Sequence, residues 1–362
     1  MDKILYLAIT NHGFGHATRA ASIAGTIQTL DPEITIIIAT TAPRSVLEFY
    51  LPGPFIHRPR SFDIGVLQAD SITMDLPETL RQLQTIRANA PRLIASEANY
   101  LRQNRVGLVM ADIPPLAAPI AKAAGIPAWL MGNFGWDFIY RDFTDRLPEF
   151  ATIADWMSEC FSQSDRLFRM PFHEPMAAFP SITDVGLTGA DPRASAEEVI
   201  AAFDLGEIPQ EKRILMTFGG LGLDRIPYER VLNFPDHRFI CFDLTAPELP
   251  NLIRVDDQHY RPIDFMPLCG KIISKPGYST FSEACRFDLP IISLIREGFA
   301  EAPIMLEGLQ NHMPHQIITP EQFFQGDWDF LHQPMNPPRT DVKLDKGGNE
   351  AIAQAVVDFF IS

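Results

Sequence analysis

Cysteine is scarce in this 362-residue chain, and the four present (Cys160, Cys241, Cys269 and Cys285) stand far apart, with no CxxC pair and no Cys/His cluster. That spacing argues against structural zinc and against a disulfide framework. Basic residues are in deficit as well: 30 Lys and Arg against 45 Asp and Glu give a formal charge of −15 at pH 7. A field of that sign repels nucleic-acid phosphates and anionic lipid, so neither is expected as a main partner. A local basic pocket for a diphosphate remains compatible with it. No apolar run approaches the roughly 20 residues of a membrane span. The run Ile4–Ile9, after Asp2 and Lys3, is too short for a signal-peptide core and its cleavage site, and reads as a first strand. A cytoplasmic protein without a transmembrane segment is expected. Internal repeats and long runs of one charge are also missing.

What is there suits a packed protein: 46% apolar and 21% charged residues, over a length sufficient for two domains. Short apolar runs alternate with longer amphipathic stretches, the pattern of βα units on a parallel sheet. Strands are expected at Ile4–Thr10, Ile34–Thr40, Val106–Ala111 and Ala128–Met131, with helices at Ala17–Leu30, Leu76–Leu101, Pro115–Ala124 and Phe150–Ser164. A Pro-rich passage, Pro171 to Pro192, reads as the crossing between domains. The pattern then restarts. Ser195-Ala-Glu-Glu198 is a helix-opening signature, followed by strands at Arg213–Phe218, Arg238–Phe242, Lys271–Ser274 and Ile291–Ile295, and a closing helix at Asn349–Phe360. The expected organisation is an N-terminal Rossmann-like domain over 1–180, a second over 190–345, and a terminal helix in 346–362 that is a candidate to return to the first. Two such halves suggest parallel sheets facing a cleft, with ligands beyond the C-terminal strand ends.

The loops at those ends carry the candidate chemistry. Asn11-His12-Gly13-Phe14-Gly15-His16 leaves the first strand with two glycines of a dinucleotide fingerprint. Thr18 stands where the third should be, and no acidic ribose ligand follows the second strand. Hydride transfer is thereby disfavoured. The loop reads either as a tight βα turn or as the bearer of a general base, a role for which imidazole is suited near neutral pH. Asp112, at the end of an apolar strand, reads either as a helix N-cap or as an acid orienting a histidine. Phe218-Gly219-Gly220-Leu221-Gly222 allows backbone N–H groups to approach a phosphate, but no Gly-Lys-Ser/Thr follows it. In Lys275-Pro-Gly277-Tyr278-Ser279-Thr280-Phe-Ser-Glu283 a strand ends at a cation, bends, and opens a hydroxyl-rich helix, which gathers anion-binding groups around one space. Glu283 reads either as a ligand for two vicinal hydroxyls or as the far end of a Thr280-x-x-Glu283 capping box.

Lys275 through Glu283 resembles the donor-site signature of UDP-glycosyltransferases: a basic residue, a glycine, an aromatic, hydroxyl or amide residues and a glutamate. The blocks Gly13-Phe-Gly-His-Ala-Thr-Arg19, Asn133-Phe-Gly-Trp-Asp-Phe-Ile-Tyr140 and Lys275 through Pro303 together resemble the glycosyltransferase-like N-terminal region of arabinokinase-type proteins. Their kinase half has no counterpart in these residues, so no kinase activity is implied. The resemblance implies a GT-B fold, two Rossmann-like α/β domains, and no metal or cofactor. It puts Lys275 on a donor diphosphate, with Gly277, Tyr278, Ser279 and Thr280 near the phosphates and Glu283 on the ribose. His16 falls at the catalytic base and Asp112 at its supporting acid, while Gly219, Gly220 and Leu221 belong to a glycine loop against the donor. Gly13, Gly15, Asn133, Trp136 and Asp137 lie on the acceptor side, with Trp136 as a stacking surface and Asp137 as a hydrogen-bonding acid. The bland alternative for that segment is a buried aromatic cluster.

Two departures narrow what is implied. Glu301-Ala302 stands where many family members have an acidic residue followed by Gln; Glu301 retains a sugar contact, but the sugar is not specified. Tyr260–Met266 lacks the Trp-x-Pro-Gln of plant enzymes, so uracil is only the family default. The function expected is inverting, metal-independent transfer from a nucleoside-diphosphate sugar to an unknown hydroxyl acceptor. The rivals are a UDP-sugar 2-epimerase-like isomerase and a non-catalytic sugar-nucleotide sensor.

Overall fold

In a computed structural model, residues 2–67, 74–218, 223 and 225–362 are described. They form two compact units: Met1–Thr188 with Phe299–Ile304 and Asp345–Ser362, and Gly189–Gly298 with Met305–Leu344. Phe299–Ile304, expected with the C-terminal domain, therefore packs with the first unit.

The first unit runs β1 (Ile4–Ile9), α1 (Gly13–Leu30), β2 (Thr35–Ala39), α2 (Arg44–Glu48), β3 (Ile56–Arg58), α3 (Leu76–Gln103), β4 (Leu108–Asp112), α4 (Ala117–Ala124), β5 (Ala128–Gly132), α5 (Trp136–Asp142), α6 (Phe150–Phe161), β6 (Arg166–Arg169) and β7 (Ile182–Asp184). Its strands make one parallel sheet in the order β3-β2-β1-β4-β5-β6-β7. Leu5–Ile9 is fully buried because helices cover both faces of such a sheet, which is why the strand is uniformly apolar and not alternating.

The second unit holds α7 (Ala196–Ala202), β8 (Arg213–Met216), β9 (Arg238–Cys241), β10 (Leu252–Arg254), α8 (Pro262–Phe265), β11 (Lys271–Ser274), α9 (Tyr278–Arg286), β12 (Ile291–Leu294), most of α10 (Glu301–His312), β13 (His315–Ile318) and α11 (Pro320–Phe324). Its sheet, again parallel, has the order β10-β9-β8-β11-β12-β13. The closing helix α12 (Gly348–Ile361) packs along α1 in the first unit, where the Asn349 side chain reaches Ser22 Oγ at 3.4 Å.

The strong apolar runs fall where the sequence puts strands. The elements it does not announce are short or polar. β3, β7 and β10 have three residues each, β6 reads Arg-Leu-Phe-Arg, and β13 opens with His-Gln. Trp136, expected in a loop, begins α5, and the Pro-rich passage contains β7. The helix expected from Ala17 starts instead at Gly13, which brings His16 into its first turn.

In each sheet the connections run outward in opposite directions from one central pair, β1/β4 and β8/β11. Such switch points open a crevice at the strands' C-terminal ends. Loops 10–12 and 113–116 leave the first pair, while residues 217–218 and loop 275–277 leave the second.

Gly25 lies in the middle of α1, where alanine ordinarily stabilises a helix by about 1 kcal/mol. A Cβ there would sit 2.3 Å from the Tyr50 carbonyl oxygen, a backbone atom that cannot swing away. The clash should win. Gly25→Ala is expected to lower stability by about 1–3 kcal/mol, read as a fall in Tm.

Candidate active site

The first switch point gathers a buried polar network. Asp112 ends β4 with no measurable exposure. Arg19 grips it with two bonds, Nε to Oδ2 at 2.6 Å and Nη2 to Oδ1 at 2.5 Å, and His16 Nδ1 meets Oδ1 at 2.8 Å. His16 and Arg19 are three apart on α1, so one helical face presents both. Burial works to raise the Asp112 carboxyl, but the charges of Arg19 and His16 and their bonds hold it below the ordinary value. Asp112 is therefore ionised and can only accept. Arg19 can only donate, so its Nη2, 3.0 Å from His16 Nδ1, is a second donor converging on the same oxygen. This assigns the proton to His16 Nδ1 and the lone pair to Nε2, the arrangement a general base requires. Because Arg19 already neutralises Asp112, orientation is a large part of what the acid supplies to His16.

The network continues. Arg19 Nη1 donates to Asn133 Oδ1 at 3.2 Å, and Asn133 Nδ2 donates to Glu301 Oε1 at 2.8 Å. Glu301, expected among donor contacts, is buried in the first unit on this chain of bonds. Asn133, expected on an acceptor wall, is 1% exposed. Trp136 is fully buried, its ring stacked on Tyr140 at 5.6 Å and edge-on to Phe134 at 5.3 Å. It is core, and not an open stacking surface. Asp137 accepts from Ser158 Oγ at 2.7 Å, and burial raises its carboxyl against that bond. Its acid is thus committed within the unit. Gly13 and Phe14 are exposed, Phe14 by 42%, and Gly15 is half-buried. Gly13 has φ +66° with no atom within 4 Å of where a Cβ would sit, so it combines a left-handed turn with open space.

Sequence reasoning gave no role to three residues here. Arg19 was legible in principle, three positions after His16. His12 stacks on Phe299 at 6.2 Å and 8°, and meets Trp136 edge-on at 5.2 Å. Asp63, from the loop after β3, accepts from the Asn11 N–H at 2.7 Å and from the Thr10 hydroxyl. Burial pushes Asp63 up to about 7, assisted by the charge of Asp112 and opposed by its hydrogen bonds. Its partners lie about fifty residues away, so no local pattern announces it.

The second switch point is simpler. β11 ends at Ser274, and α9 begins at Tyr278 with Gly277 as its N-cap and no side chain capping it. Thr280 thus lies inside the first turn. The capping box through Glu283 does not form, and that carboxylate instead accepts from the Ala190 N–H at 3.3 Å. Gly277 has no atom within 4 Å of a Cβ position, so the space before the helix is open. Lys275, Ser279, Thr280 and Glu283 are half-buried, whereas Tyr278 is 4% exposed. The Tyr278 ring is therefore packed inside, and its contribution at the helix start is its backbone. Burial, and secondarily the charge of Arg296, lower Lys275 to about 8. Glu283 is raised to about 7 by burial, against the Ala190 bond and the charges of Arg286 and Arg261. Arg286, one turn beyond, ties down the segment 189–191 through the carbonyls of Gly189 and Ala190 and the Asp191 carboxylate at 2.7–2.9 Å. Gly219, Gly220 and Leu221 lie outside the described residues.

Among the described residues no group of three His, Cys, Asp or Glu side chains is placed to hold a metal ion. An Asp-x-Asp run does occur, Asp327-Trp328-Asp329, but Asp327 pairs with Arg230 at 2.8 Å and Trp328 is buried. No helix among the described residues is long and apolar enough to cross a membrane.

UGT2 of Phytolacca americana, solved with UDP-2fluoro-glucose and pterostilbene, matches with TM-score 0.60 at 13% identity over 98% of this chain and 93% of its own. A Listeria monocytogenes protein assigned as a UDP-N-acetylglucosamine 2-epimerase matches with TM-score 0.59 at 13% identity, over 100% of this chain and 97% of its own. The fold is GT-B. At these identities the likeness is one of architecture. In sequence, L-arabinokinase of Arabidopsis thaliana is 27% identical over 324 residues, 88% of this chain and 31% of that protein. The chain thus spans about a third of the length of this curated relative. No protein-family model matches it. The resemblance drawn from the motifs holds for both the GT-B neighbours and the arabinokinase-type relative.

Arg19 and His16 separate stability from chemistry. Arg19→Ala leaves a buried carboxylate without its cation and is expected to cost about 3–5 kcal/mol. His16→Ala, which leaves the Arg19–Asp112 pair intact, should cost about 1 kcal/mol or less. Urea titrations of the two variants check the difference. The Asp112 contribution should be full above the ordinary carboxyl pKa of 3.8 and vanish as pH falls through its lower folded value.

Proposed function

We propose that this GT-B protein is an inverting glycosyltransferase that moves a sugar from a nucleoside-diphosphate donor, by default a UDP-sugar, to a hydroxyl acceptor without a metal. The observation that supports the reading most is common to both sheets. Each switch point meets a helix start that no side chain caps, α1 carrying His16 on Asp112 and α9 preceded by Lys275. A helix start favours negative charge by about 0.3–1 kcal/mol, and Lys275 adds a full charge to the second.

In the proposed reaction, His16 Nε2 takes the proton of the acceptor hydroxyl. The acceptor oxygen then forms its bond to the anomeric carbon from the face opposite the leaving group. The bond from that carbon to the diphosphate oxygen breaks, and the electron pair departs with the nucleoside diphosphate. Lys275 and the N–H groups at the start of α9 meet the charge that develops there, the electrostatic share of catalysis. Glu283, freed from capping duty, is suited to accept from the two ribose hydroxyls in exchange for its bond to Ala190. The fold of the neighbours and the motif resemblance support the same assignment, and the Phytolacca americana neighbour was solved with UDP-2fluoro-glucose.

A second reading, a 2-epimerase-like isomerase, draws support from two further buried carboxyls in the first unit, Asp63 and Glu301, since proton transfer at carbon calls for more than one acid–base group. Incubating the donor with no acceptor and analysing the products separates the two. Epimerised donor would replace the transferase reading.

Thermal shift and calorimetry with UDP, GDP, dTDP and their sugars test the donor site. One nucleoside diphosphate is expected to bind preferentially, with about tenfold loss in Glu283→Gln, the scale of one charge-assisted hydrogen bond. If no nucleotide moves the melting curve at about millimolar concentration, a range that covers ordinary substrate affinities, the proposal fails.

The pH dependence is specific. Binding needs Lys275 charged and Glu283 ionised, and these groups sit at about 8 and about 7 in the free protein. Affinity should therefore peak between those values. It should weaken as pH falls below Glu283 and as it rises above Lys275, by about tenfold per unit on each limb. Glu283→Gln should abolish the acid limb, and Lys275→Met the alkaline one.

A further inference from the structure

The loop that delivers His16 has an anchor that the proposed reaction leaves unused. Asp63 is 2% exposed and comes from the segment between β3 and α3. Its Oδ1 accepts the N–H of Asn11, the first residue of the loop, at 2.7 Å. Its Oδ2 accepts the hydroxyl of Thr10, the last residue before the loop. Thr10 Oγ1 in turn accepts the indole N–H of Trp136 at 2.8 Å. Trp136 touches both histidines, with ring centres 5.2 Å from His12 and 6.4 Å from His16. Two residues further along the Asp63 segment, Gly65 has φ +59° and brings its backbone against the His12 ring, where a Cβ would lie 2.5 Å from Nδ1. The Gly65 carbonyl accepts the Tyr140 hydroxyl at 2.6 Å. Two independent connections, one through backbone and one through Thr10 and Trp136, thus run from Asp63 to the imidazoles.

We propose that Asp63 is a positioning residue for His16: it fixes the first peptide of the loop and, through Thr10, holds Trp136 in the place against which both imidazoles rest. The proposal rests on the reading of His16 as the base. The direction of the bonds suits the ionised acid. Trp136 gives its N–H to Thr10, and Thr10 gives its proton to Asp63, so each group uses its donor once. The groups acting on Asp63 are the Asn11 N–H, the Thr10 hydroxyl and the Trp136 side chain, which lower it, and Asp112 at the end of β4, whose charge raises it; its own charge raises the Tyr140 hydroxyl on α5 in turn.

Three variants test the chain of bonds: Asp63→Asn removes the charge, Thr10→Val removes the relay without touching any charge, and Thr10→Ser keeps the hydroxyl. Each is measured for nucleoside-diphosphate affinity, for kcat and KM, and for the His16 imidazole 15N resonances across pH. Asp63→Asn and Thr10→Val are expected to lower kcat by about tenfold or more through misplacement of the base. Donor affinity should be unchanged and the His16 resonances shifted or broadened, while Thr10→Ser should behave as wild type. Unchanged kcat in both Asp63→Asn and Thr10→Val overturns the proposal. If wild type transfers no sugar to any acceptor, the glycosyl-transfer reading falls separately, and the resonances still decide: His16 signals in Thr10→Val that superpose on wild type sink the positioning role.

Discussion

The buried carboxylate of Asp112 is the constraint on which the first unit's chemistry depends. A charge at the end of a central strand, out of contact with water, is tolerable only if a cation and donors surround it, because the desolvation of an isolated carboxylate far exceeds the stability of any domain. Arg19 supplies the cation, and the rigid fork of the guanidinium takes both oxygens at once. Everything else in the network follows from satisfying that guanidinium in turn. Asn133 accepts from it, Glu301 accepts from Asn133, and the first turn of α10 is thereby counted with the first unit while the rest of the helix is not. His16 joins at the one edge where the carboxylate still has capacity.

The second unit solves a different problem. Lys275 and Glu283 are half-buried, and burial moves both toward neutral pH. Perturbed titratable groups of this kind cluster at functional sites. On the proposed reading the difference suits a base held in one tautomer in the first unit and an exchangeable phosphate cradle in the second.

Much of this was legible in sequence because βα units write themselves in apolar runs. β1, β2, β4, β8 and β11 are largely buried and are built around runs of apolar residues, so their ends could be placed closely. The strands at and next to the sheet edges were not legible: β3, β7 and β10 are too short to show a period, and β6 and β13 carry polar residues. Roles depending on contacts between distant segments were the least readable. Asn133, Trp136 and Asp137 are adjacent to a strand end, which made them look available to an acceptor, yet packing takes each of them inward. Glu301 could be recognised as a motif position but not as the partner of Asn133, 168 residues earlier. Asp63 had no local pattern at all. The ambiguity at Glu283 was decided by where α9 starts, a matter of the three-residue step from Gly277 to Thr280 that no spacing rule fixes.

The paired near-neutral groups of the second unit have a calorimetric consequence. On the proposed reading, a diphosphate settling beside Lys275 would stabilise its ammonium and draw protons from the medium, whereas ribose hydroxyls settling on Glu283 would stabilise its carboxylate and return protons to it. With the two groups at about 8 and about 7, uptake and release offset one another midway between those values. There, nucleotide binding would exchange almost no net protons, and its heat would be nearly the same in buffers of very different ionisation enthalpy. On the alkaline side the ligand would arrive with a proton, and on the acid side it would expel one.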